Sequence, residues 1–242
     1  MSAAIIKPSQ VAVICPTKDQ PDKVKRLLTC LAQSSIKPGQ VLIADGGHNL
    51  KPVIKEFENS LNLACLYCPE AGQVLQRNYA HTKLASKIKL VIHFDDDITF
   101  DKDAIGVMLD YWNKTISSDQ GNAEKPLGGA AFNIVDLPRL RQNIFRKIFF
   151  LSVEPHGHVS RGGYAAPFCP ANTTHKVEWV FGGATIWRRD IIDTYHHPLS
   201  FQTRWAVCED LIFSYPLQQD FRLMVVHEAI IQHNETYTRM TF

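Results

Sequence analysis

The sequence predicts a single α/β domain with a central, mostly parallel β-sheet flanked by helices. Through the first hundred residues, apolar segments typical of strands alternate with amphipathic segments typical of helices. Such alternation implies right-handed crossovers between parallel strands. Polar residues follow the predicted strand ends, where ligands bind in sheets of this kind. The 242 residues, 45% of them apolar, suffice for one domain with a substantial core, and no repeat or linker divides them.

The first half contains four predicted strands and three predicted helices. The strands are VAVICPT from Val11, QVLIAD, LACLYC and KLVIHF, and the helices cover residues 22–32, 53–61 and 74–85. The helical segments carry apolar residues three and four positions apart. Thr17, Asp45 and the aspartates at 95–97 come directly after strands, so we expect them to meet at one edge of the sheet.

The second half is less regular. A helix is predicted over 103–112, followed by an exposed loop, NKTISSDQGNAEKP, and by the strand LGGAAFNIV. After a mixed stretch over 136–176, the segment EWVFGGATIW is predicted to be a strand interrupted by glycines. RRDIIDTY and EDLIFSYPL are typical of helices, and LMVVHEAIIQH is typical of a final strand or hairpin.

Composition and charge exclude several classes of protein. The net charge of +2 offers no broad basic field, so we expect no nucleic-acid partner. No apolar run approaches the ~18 residues of a membrane span, and the N-terminus does not resemble a signal peptide, which indicates the cytoplasm. The six cysteines show no paired framework. Cys65 and Cys68 form a C-x-x-C, but strand alternation would turn them to opposite faces, against a redox or zinc site.

Three adjacent aspartates, Asp95, Asp96 and Asp97 (the aspartate triplet), follow the buried segment LVIHF. Carboxylates crowded at the end of a buried strand repel one another and lose hydration unless a cation compensates. A hard divalent cation, Mg²⁺ or Mn²⁺, is the natural partner, since it binds carboxylates and leaves positions open for phosphate oxygens. The alternative is a solvated acidic turn that caps the helix at Asp103.

Two further residues are candidates for nucleotide binding. Asp45 precedes Gly46 and Gly47, where a carboxylate can accept hydrogen bonds from a base or ribose and the backbone can approach closely. An ordinary turn with aspartate at its first position explains the same pattern. Arg77 lies on a helix that follows a glycine and could pair with a diphosphate, although an isolated arginine is more often a surface residue.

The pair Glu209-Asp210 opens an apolar helix near the C-terminal end of the chain. Acidic residues at a helix N-terminus are favoured by the helix dipole, which is the structural explanation. The functional alternative is that the second acid faces the cleft and acts as a general base. His227 and His233 follow, and a lone histidine is more often a core or surface residue than a metal ligand.

Taken in order, four stretches resemble the family 2 glycosyltransferases of the nucleotide-sugar-binding type. They are VAVICPTKDQP with LLTCLAQSS, then VLIADGG, then GQVLQRNYA with IHFDDDI, and finally EWVFGGATIWRRDI with CEDLIFSYPL and VVHEAIIQH. The resemblance spans nearly the whole chain. It implies a Rossmann-like GT-A domain over residues 1–242, with a nucleotide-binding half over about 1–100 and an acceptor-binding half over about 101–242.

The resemblance also implies roles for individual residues. Those that would contact the donor nucleotide sugar are Thr17, Asp45, Arg77, Asp95, Asp96, Gly182 and Gly183. Those that would hold the metal are Asp95, Asp97 and His233. Asp210, preceded by Glu209, matches the catalytic base.

The implied activity is inverting transfer of a sugar from a nucleotide-diphosphate donor, with Mn²⁺ or Mg²⁺, to the hydroxyl of a glycan or a lipid-linked acceptor. UDP is the commonest donor nucleotide in the family. Lys18-Asp19 replaces the commoner aromatic-asparagine pair after the threonine, which leaves base stacking open.

Two other functions share these features. A nucleotidyltransferase would carry a glycine-rich loop after the first strand, where this chain reads CPTKDQP. A non-catalytic nucleotide-sugar sensor would keep the fold without turnover.

The basic aromatic segment over 139–151, RLRQNIFRKIFFL, could lie on a membrane surface, but its apolar density favours packing under an acceptor-side loop.

Overall fold

The computed structural model describes residues 5–47, 49–119, 124–138, 144–152, 156–199 and 208–234. The strands are β1 Val11–Thr17, β2 Gln40–Asp45, β3 Leu63–Tyr67, β4 Leu90–Phe94, β5 Ile98–Phe100, β6 Leu127–Ile134, β7 His175–Val177, β8 Ala184–Arg188 and β9 Arg222–His233. The helices are α1 Pro21–Gln33, α2 Lys51–Phe57, α3 Gln73–His81, α4 Ala104–Ser118, α5 Ile144–Ile148, α6 Arg189–Thr194 and α7 Glu209–Leu217.

The nine strands of the described residues belong to one sheet with the order β3-β2-β1-β4-β8-β6-β9-β5, and β7 also pairs with β9. The predicted α/β class is confirmed. The four N-terminal strands are parallel throughout, as expected. β8 runs antiparallel to both β4 and β6, and β9 is parallel to β6 but antiparallel to β5 and β7. The parallel order therefore holds where helical crossovers alternate with strands, and it is lost in the irregular second half.

Burial of apolar side chains explains the first half of the sheet. β1 and β4 are buried along their whole length, as expected for strands covered on both faces. α1 begins with a proline at its first turn, which suits the unpaired N–H groups there. The side chains that α1 buries are spaced three and four residues apart: Val24, Leu27, Leu28 and Leu31.

Several elements differ from the sequence prediction. The segment EWVFGGATIW, predicted to be a strand, is a strand only from Ala184 onward, and β7 and α5 were not predicted. α4 extends to Ser118, so the segment NKTISS is helical and its prediction as a loop was wrong. Within this part of the helix, Thr115 and Ser117 donate side-chain hydrogen bonds to carbonyls one turn back, which keeps their hydroxyls satisfied. The short strand β5, directly after the aspartate triplet, was not predicted because three residues carry too little periodicity.

Residues 139–143 of the basic aromatic segment lie outside the described residues. Over its described part, 144–151, no packing under a described loop is seen, which contradicts that interpretation. α5 has five residues, and none of them is buried. The apolar residues of this short helix, Ile144, Phe145 and Ile148, are spaced one, three and four positions apart, which places them on one face, and that face is exposed.

The cysteines Cys65 and Cys68 are both free thiols. Burial raises the pKa of each thiol to about 11, so both stay protonated near neutral pH. A protonated thiol is neither a good nucleophile nor a good metal ligand. The expectation against a redox or zinc site at these two residues stays a prediction.

Candidate functional site

The carboxyl ends of β1, β2 and β4 bring the predicted donor-binding residues to one edge of the sheet. Thr17 and Asp45 are register partners at the ends of β1 and β2. The aspartate triplet follows β4, which pairs with β1 on its other side. The side-chain hydroxyl of Thr17 donates to Asp96 Oδ2 at 2.5 Å, so the strand ends are joined directly.

The aspartate triplet is compensated by cationic and polar side chains. Lys23 Nζ, from the first turns of α1, lies 3.4 Å from Asp97 Oδ2 and 3.8 Å from Asp96 Oδ1. Burial raises the pKa of Asp96 to about 6, although the Thr17 hydrogen bond and Lys23 act in the opposite direction. The triplet is therefore a partly buried acidic centre and not a solvated turn, which answers the alternative left open by the sequence.

Arg77 is fully buried and joins two parts of the chain that are distant in sequence. Its Nη1 lies 3.2 Å from Glu209 Oε1 and its Nη2 lies 3.5 Å from Asp95 Oδ1. Gln73 Nε2, from the first turn of α3, donates to the same Asp95 oxygen at 2.9 Å. We call Arg77, Asp95 and Glu209 the ion network, and it fixes the start of α7 against the end of β4.

Gly182 and Gly183 let the acidic side chains approach the backbone before β8. A Cβ atom added to Gly183 would lie 2.0 Å from Asp95 Oδ2, and one added to Gly182 would lie 2.9 Å from Glu209 Oε1. The backbone N–H of Gly182 also donates to Asp210 Oδ2 at 3.4 Å. Both glycines are required by close approach to the site.

Asp210 differs from Glu209 in its contacts, although the two are adjacent. Its Oδ1 accepts the N–H of Leu211 at 2.7 Å and its Oδ2 accepts that of Gly182, so within the described residues backbone groups orient the carboxylate. Glu209 is buried and held by Arg77, whereas Asp210 is half-buried. Burial raises the pKa of both carboxyls.

Asp45 is completely buried, and only one of its carboxylate oxygens has a hydrogen-bond partner among the described residues. Oδ1 accepts the N–H of Gly47 at 2.7 Å, while Oδ2 accepts nothing. A buried carboxylate oxygen without a donor is costly, so this atom is suited to receive an N–H or O–H from a ligand.

His233 is brought to the aspartate triplet by the pairing of β5 with the end of β9. Ile98 and His233 are register partners, and Asn234 donates its backbone and side-chain N–H groups to the Asp97 carbonyl at 2.9 and 3.1 Å. As a result His233 Nε2 lies 3.3 Å from Asp97 Oδ1.

The predicted metal ligands fit a divalent cation in part. Among the residues that the structure describes, no three histidine, cysteine, aspartate or glutamate side chains form a group that could hold a metal ion. Asp95 is engaged by the ion network, but Asp97 Oδ1 is buried, accepts no hydrogen bond there and faces His233. Mg²⁺ and Mn²⁺ commonly take one or two protein ligands and complete their shell with phosphate and water oxygens, so the Asp97–His233 pair fits such an open site.

A cavity of about 210 Å³ lies over these groups. Its polar lining consists of Gln73, Asp95, Gly182, Gly183, Glu209, Asp210 and His233. The other predicted site residues lie outside this lining: Thr17, Asp45, Arg77, Asp96 and Asp97. A larger cavity of about 810 Å³ lies at the opposite end of the strands and contains none of the predicted site residues.

Sequence reasoning missed four residues that shape the site: Lys23, Gln73, Gln76 and Asn234. Gln76 is buried and donates to the carbonyls of Thr17 and Ala44 at 2.6 and 2.5 Å, so it ties the ends of β1 and β2 together. A signal existed for Gln73 and Gln76, because both lie on the helix that carries Arg77, within one turn of it. Lys23 carried no such signal, since a lysine in an amphipathic helix is ordinarily solvated.

A histidine cluster, formed by His81, His93 and His197, lies behind the ion network. All three are buried, and His81 Nε2 lies 2.9 Å from His93 Nε2. The ring of His197 stacks on Phe213 with centroids 4.0 Å apart. Asn78 holds the His197 backbone through two hydrogen bonds. Burial lowers the pKa of His81 to about 3 and the other two pKa values as well, so all three rings are neutral.

Comparison with solved structures identifies the fold. No protein-family model matches the chain, and no curated protein matches its sequence. The structure is similar to S. aureus TarS 1-349, with a TM-score of 0.63 and 15% identity over 90% of this chain and 58% of that one. TarS 1-349 in complex with UDP-GlcNAc gives a TM-score of 0.62 at 14% identity, over 90% of this chain and 56% of that one.

A second similar protein is the mannosyltransferase PcManGT from Pyrobaculum calidifontis in complex with GDP-Man and Mn²⁺. The TM-score is 0.59 at 12% identity, and the match covers 98% of this chain and 61% of that one. The chain thus spans little more than half the length of the structures that it matches. At these identities the likeness concerns architecture, and it shows that this chain has the GT-A fold expected from its sequence.

Proposed function

We propose that this protein is a glycosyltransferase that moves a sugar from a nucleotide-diphosphate donor, UDP in the first instance, to an acceptor hydroxyl. The observation that carries the proposal is the meeting of Asp210, Asp95 and the two backbone-exposing glycines 182 and 183 at one cavity beyond the strand ends. A general base must lie within hydrogen-bonding reach of the hydroxyl that it activates, and this cavity offers room for that hydroxyl beside Asp210.

We also propose that the domain divides into a donor half, about 1–100, and an acceptor half, about 101–242.

Asp210 is the proposed general base, and transfer would invert the anomeric centre in one displacement. The carboxylate would take the proton of the acceptor hydroxyl as its oxygen bonds to the anomeric carbon, while the bond to the nucleotide diphosphate breaks on the opposite face. Its raised pKa makes Asp210 a stronger base than an ordinary aspartate. Glu209 is better suited to a supporting role, because Arg77 already neutralises it.

The donor would be held beside the cavity by Asp45, Thr17 and Arg77, each in a different way. Asp45 Oδ2 is a buried acceptor ready for an N–H of the base or a hydroxyl of the ribose. Thr17 contributes indirectly, since its hydroxyl is already donated to Asp96. Arg77 would act on the diphosphate through the field of its buried guanidinium.

Asp97 and His233 would hold a divalent cation, Mn²⁺ or Mg²⁺, when the donor is bound. Such a cation supplies charge stabilisation to the departing diphosphate, as an acid does in glycoside hydrolysis. The chain's own contribution is to present Asp97 Oδ1 and His233 Nε2 together, with Lys23 limiting the repulsion inside the aspartate triplet.

The test is the isosteric variant Asp210→Asn, compared with Asp220→Asn at an exposed position. Wild-type protein with Mn²⁺ and a panel of nucleotide sugars is expected to hydrolyse one donor slowly. Asp210→Asn should lower that turnover at least about a hundredfold with nearly unchanged donor affinity, because only the base is lost. Strong residual turnover in Asp210→Asn would remove it from the base role, and donor binding by wild type without any turnover would favour a sensor.

A further inference from the structure

An apolar and basic surface segment lies outside the site. It consists of residues 144–151 and contains α5 with the three residues that follow it. Six of its eight side chains are large and apolar, with exposed fractions between 46% and 69%: Ile144, Phe145, Ile148, Phe149, Phe150 and Leu151. Contiguous exposed apolar side chains at this density mark an interaction surface in a protein of this size.

The charge of the surrounding sequence identifies the partner. Residues 137–177 contain six lysines or arginines and a single acid, Glu154, although the whole chain has a net charge of only +2. Arg146 and Lys147 interrupt the apolar residues within the segment itself, and Arg161 follows in the neighbouring hairpin. Aromatic and aliphatic side chains interleaved with cations match the boundary of an anionic bilayer, where rings enter the acyl region and cations meet headgroups.

Hydrogen bonds attach residues 144–151 to a hairpin that continues toward the site. The Ser160 hydroxyl donates to the Phe150 carbonyl at 2.6 Å, and Arg146 donates to the Tyr164 hydroxyl at 3.2 Å. The hairpin around these residues continues to Ala166, whose carbonyl accepts the indole N–H of Trp179 at 3.2 Å.

The chain between β6 and β8 meets the cavity at both of its ends, because Leu137 and Phe181 both line the cavity. The chain that precedes residues 144–151 and the chain that follows them therefore both run to the cavity.

We propose that residues 144–151 dock this protein on an anionic lipid surface. None of the helices in the described part of the chain has the length and apolar character needed to cross a bilayer. The segment instead lies along the surface, with Phe145 and Phe149 inserted and Lys147 at the headgroups. If the proposed sugar transfer holds, this placement makes a lipid-linked molecule the class of acceptor, since its headgroup would be presented at the acceptor side of the cavity.

The experiment is co-sedimentation of the full chain with two kinds of vesicle, one of pure phosphatidylcholine and one of equal parts phosphatidylcholine and phosphatidylglycerol. Wild type is expected to sediment with the anionic vesicles and to be released by salt. Phe145→Ser with Phe149→Ser should weaken that partition at least about tenfold, and Lys147→Gln about fivefold. Leu199→Ser, which removes an apolar side chain outside the segment that is 57% exposed, is the matched control and should bind like wild type.

Three outcomes would overturn the proposal. One is that wild type stays in solution with both kinds of vesicle. Another is that the double phenylalanine variant sediments as well as wild type. The third is a dimer in analytical ultracentrifugation that the same variant dissociates, which would make a second copy of the chain the occupant.

The outcome is separable from the proposed catalysis. Donor hydrolysis without vesicles does not involve the segment, so the double phenylalanine variant should retain wild-type hydrolysis. Loss of hydrolysis in Asp210→Asn tests the catalytic proposal alone.

Discussion

The ion network and the histidine cluster are built on the same elements and handle polar groups in opposite ways. His81 follows Arg77 by one turn of α3, and His93 precedes Asp95 by two residues at the end of β4. His197 stacks on Phe213, one turn of α7 after Glu209. In the ion network, full charges compensate one another. In the histidine cluster, burial keeps every ring neutral.

The difference shows which substitutions the ion network and the histidine cluster can each tolerate. A buried charge depends on its partner, and removal of the partner leaves an uncompensated ion. A neutral polar pair depends only on hydrogen bonding, so it can be replaced by apolar groups if both members are changed. The ion network, whose Asp95 and Glu209 line the cavity, keeps its charges, and the histidine cluster behind it adds no further charge.

The largest expected effect is the loss of Arg77. Arg77→Ala should lower the free energy of unfolding by about 3–5 kcal/mol, because Glu209 would stay buried without its cation. Chemical denaturation followed by circular dichroism measures this change. Arg77→Lys keeps the charge and should recover part of the stability. A loss below ~1 kcal/mol in Arg77→Ala would contradict the view that Asp95 and Glu209 depend on Arg77 for charge compensation.

A smaller effect is expected from acid acting on the histidine cluster. The pKa of His81 falls from 6.5 to about 3 on folding, so between these values the unfolded chain binds a proton that the folded chain does not. Stability should therefore fall as the pH drops below 6.5. One such histidine contributes about 2 kcal/mol of loss by pH 5.

Acidic groups with raised pKa values change the stability in the opposite direction as the pH falls, so the experiment needs a control for them. Asp96 has a pKa raised to about 6, so the folded chain binds its proton more readily and gains stability as the pH falls through that value. The comparison is therefore made between wild type and a variant with His81→Leu and His93→Leu, which has the same acids. Thermal unfolding from pH 7 to pH 5 should show a steeper fall in wild type, and parallel curves would disprove the role of the histidines.

The smallest effect is expected for that double replacement at neutral pH. His81→Leu alone should cost about 1–3 kcal/mol, since it deprives His93 Nε2 of its partner. The variant with both leucines should lie within about 1 kcal/mol of wild type. Denaturant titrations of the two single variants and the double variant measure the coupling. Additive costs would mean that the two rings do not act as a pair.

The fold was predictable where local pattern and chain direction agree. The buried runs ending at Thr17, Asp45 and the aspartate triplet, separated by amphipathic helices, left parallel pairing as the natural topology. The direction of β8 was not predictable, because an apolar run has the same pattern in either direction and no regular helix precedes it. β5 was missed for a different reason: its three residues become a strand only because β9 provides the partner.

The site was predictable as a set of acids at strand ends, and less so in its compensating groups. Glu209 and Asp210 read alike in the sequence, yet only the structure distinguishes them, because the Glu209 contact joins it to a helix 132 residues earlier. The histidine cluster was invisible for the same reason, since its members come from α3, β4 and the stretch after α6.

The pairing of β5 with β9 has a consequence for biosynthesis. On the ribosome, β1 to β4 emerge early and can assemble while β9 has yet to be translated. A nascent chain at that stage already exposes the three adjacent carboxylates, but the imidazole that meets Asp97 arrives only with the last strand. The contact between residues 97 and 233 is thus a late event in maturation, and unfinished polypeptides present the acids without it.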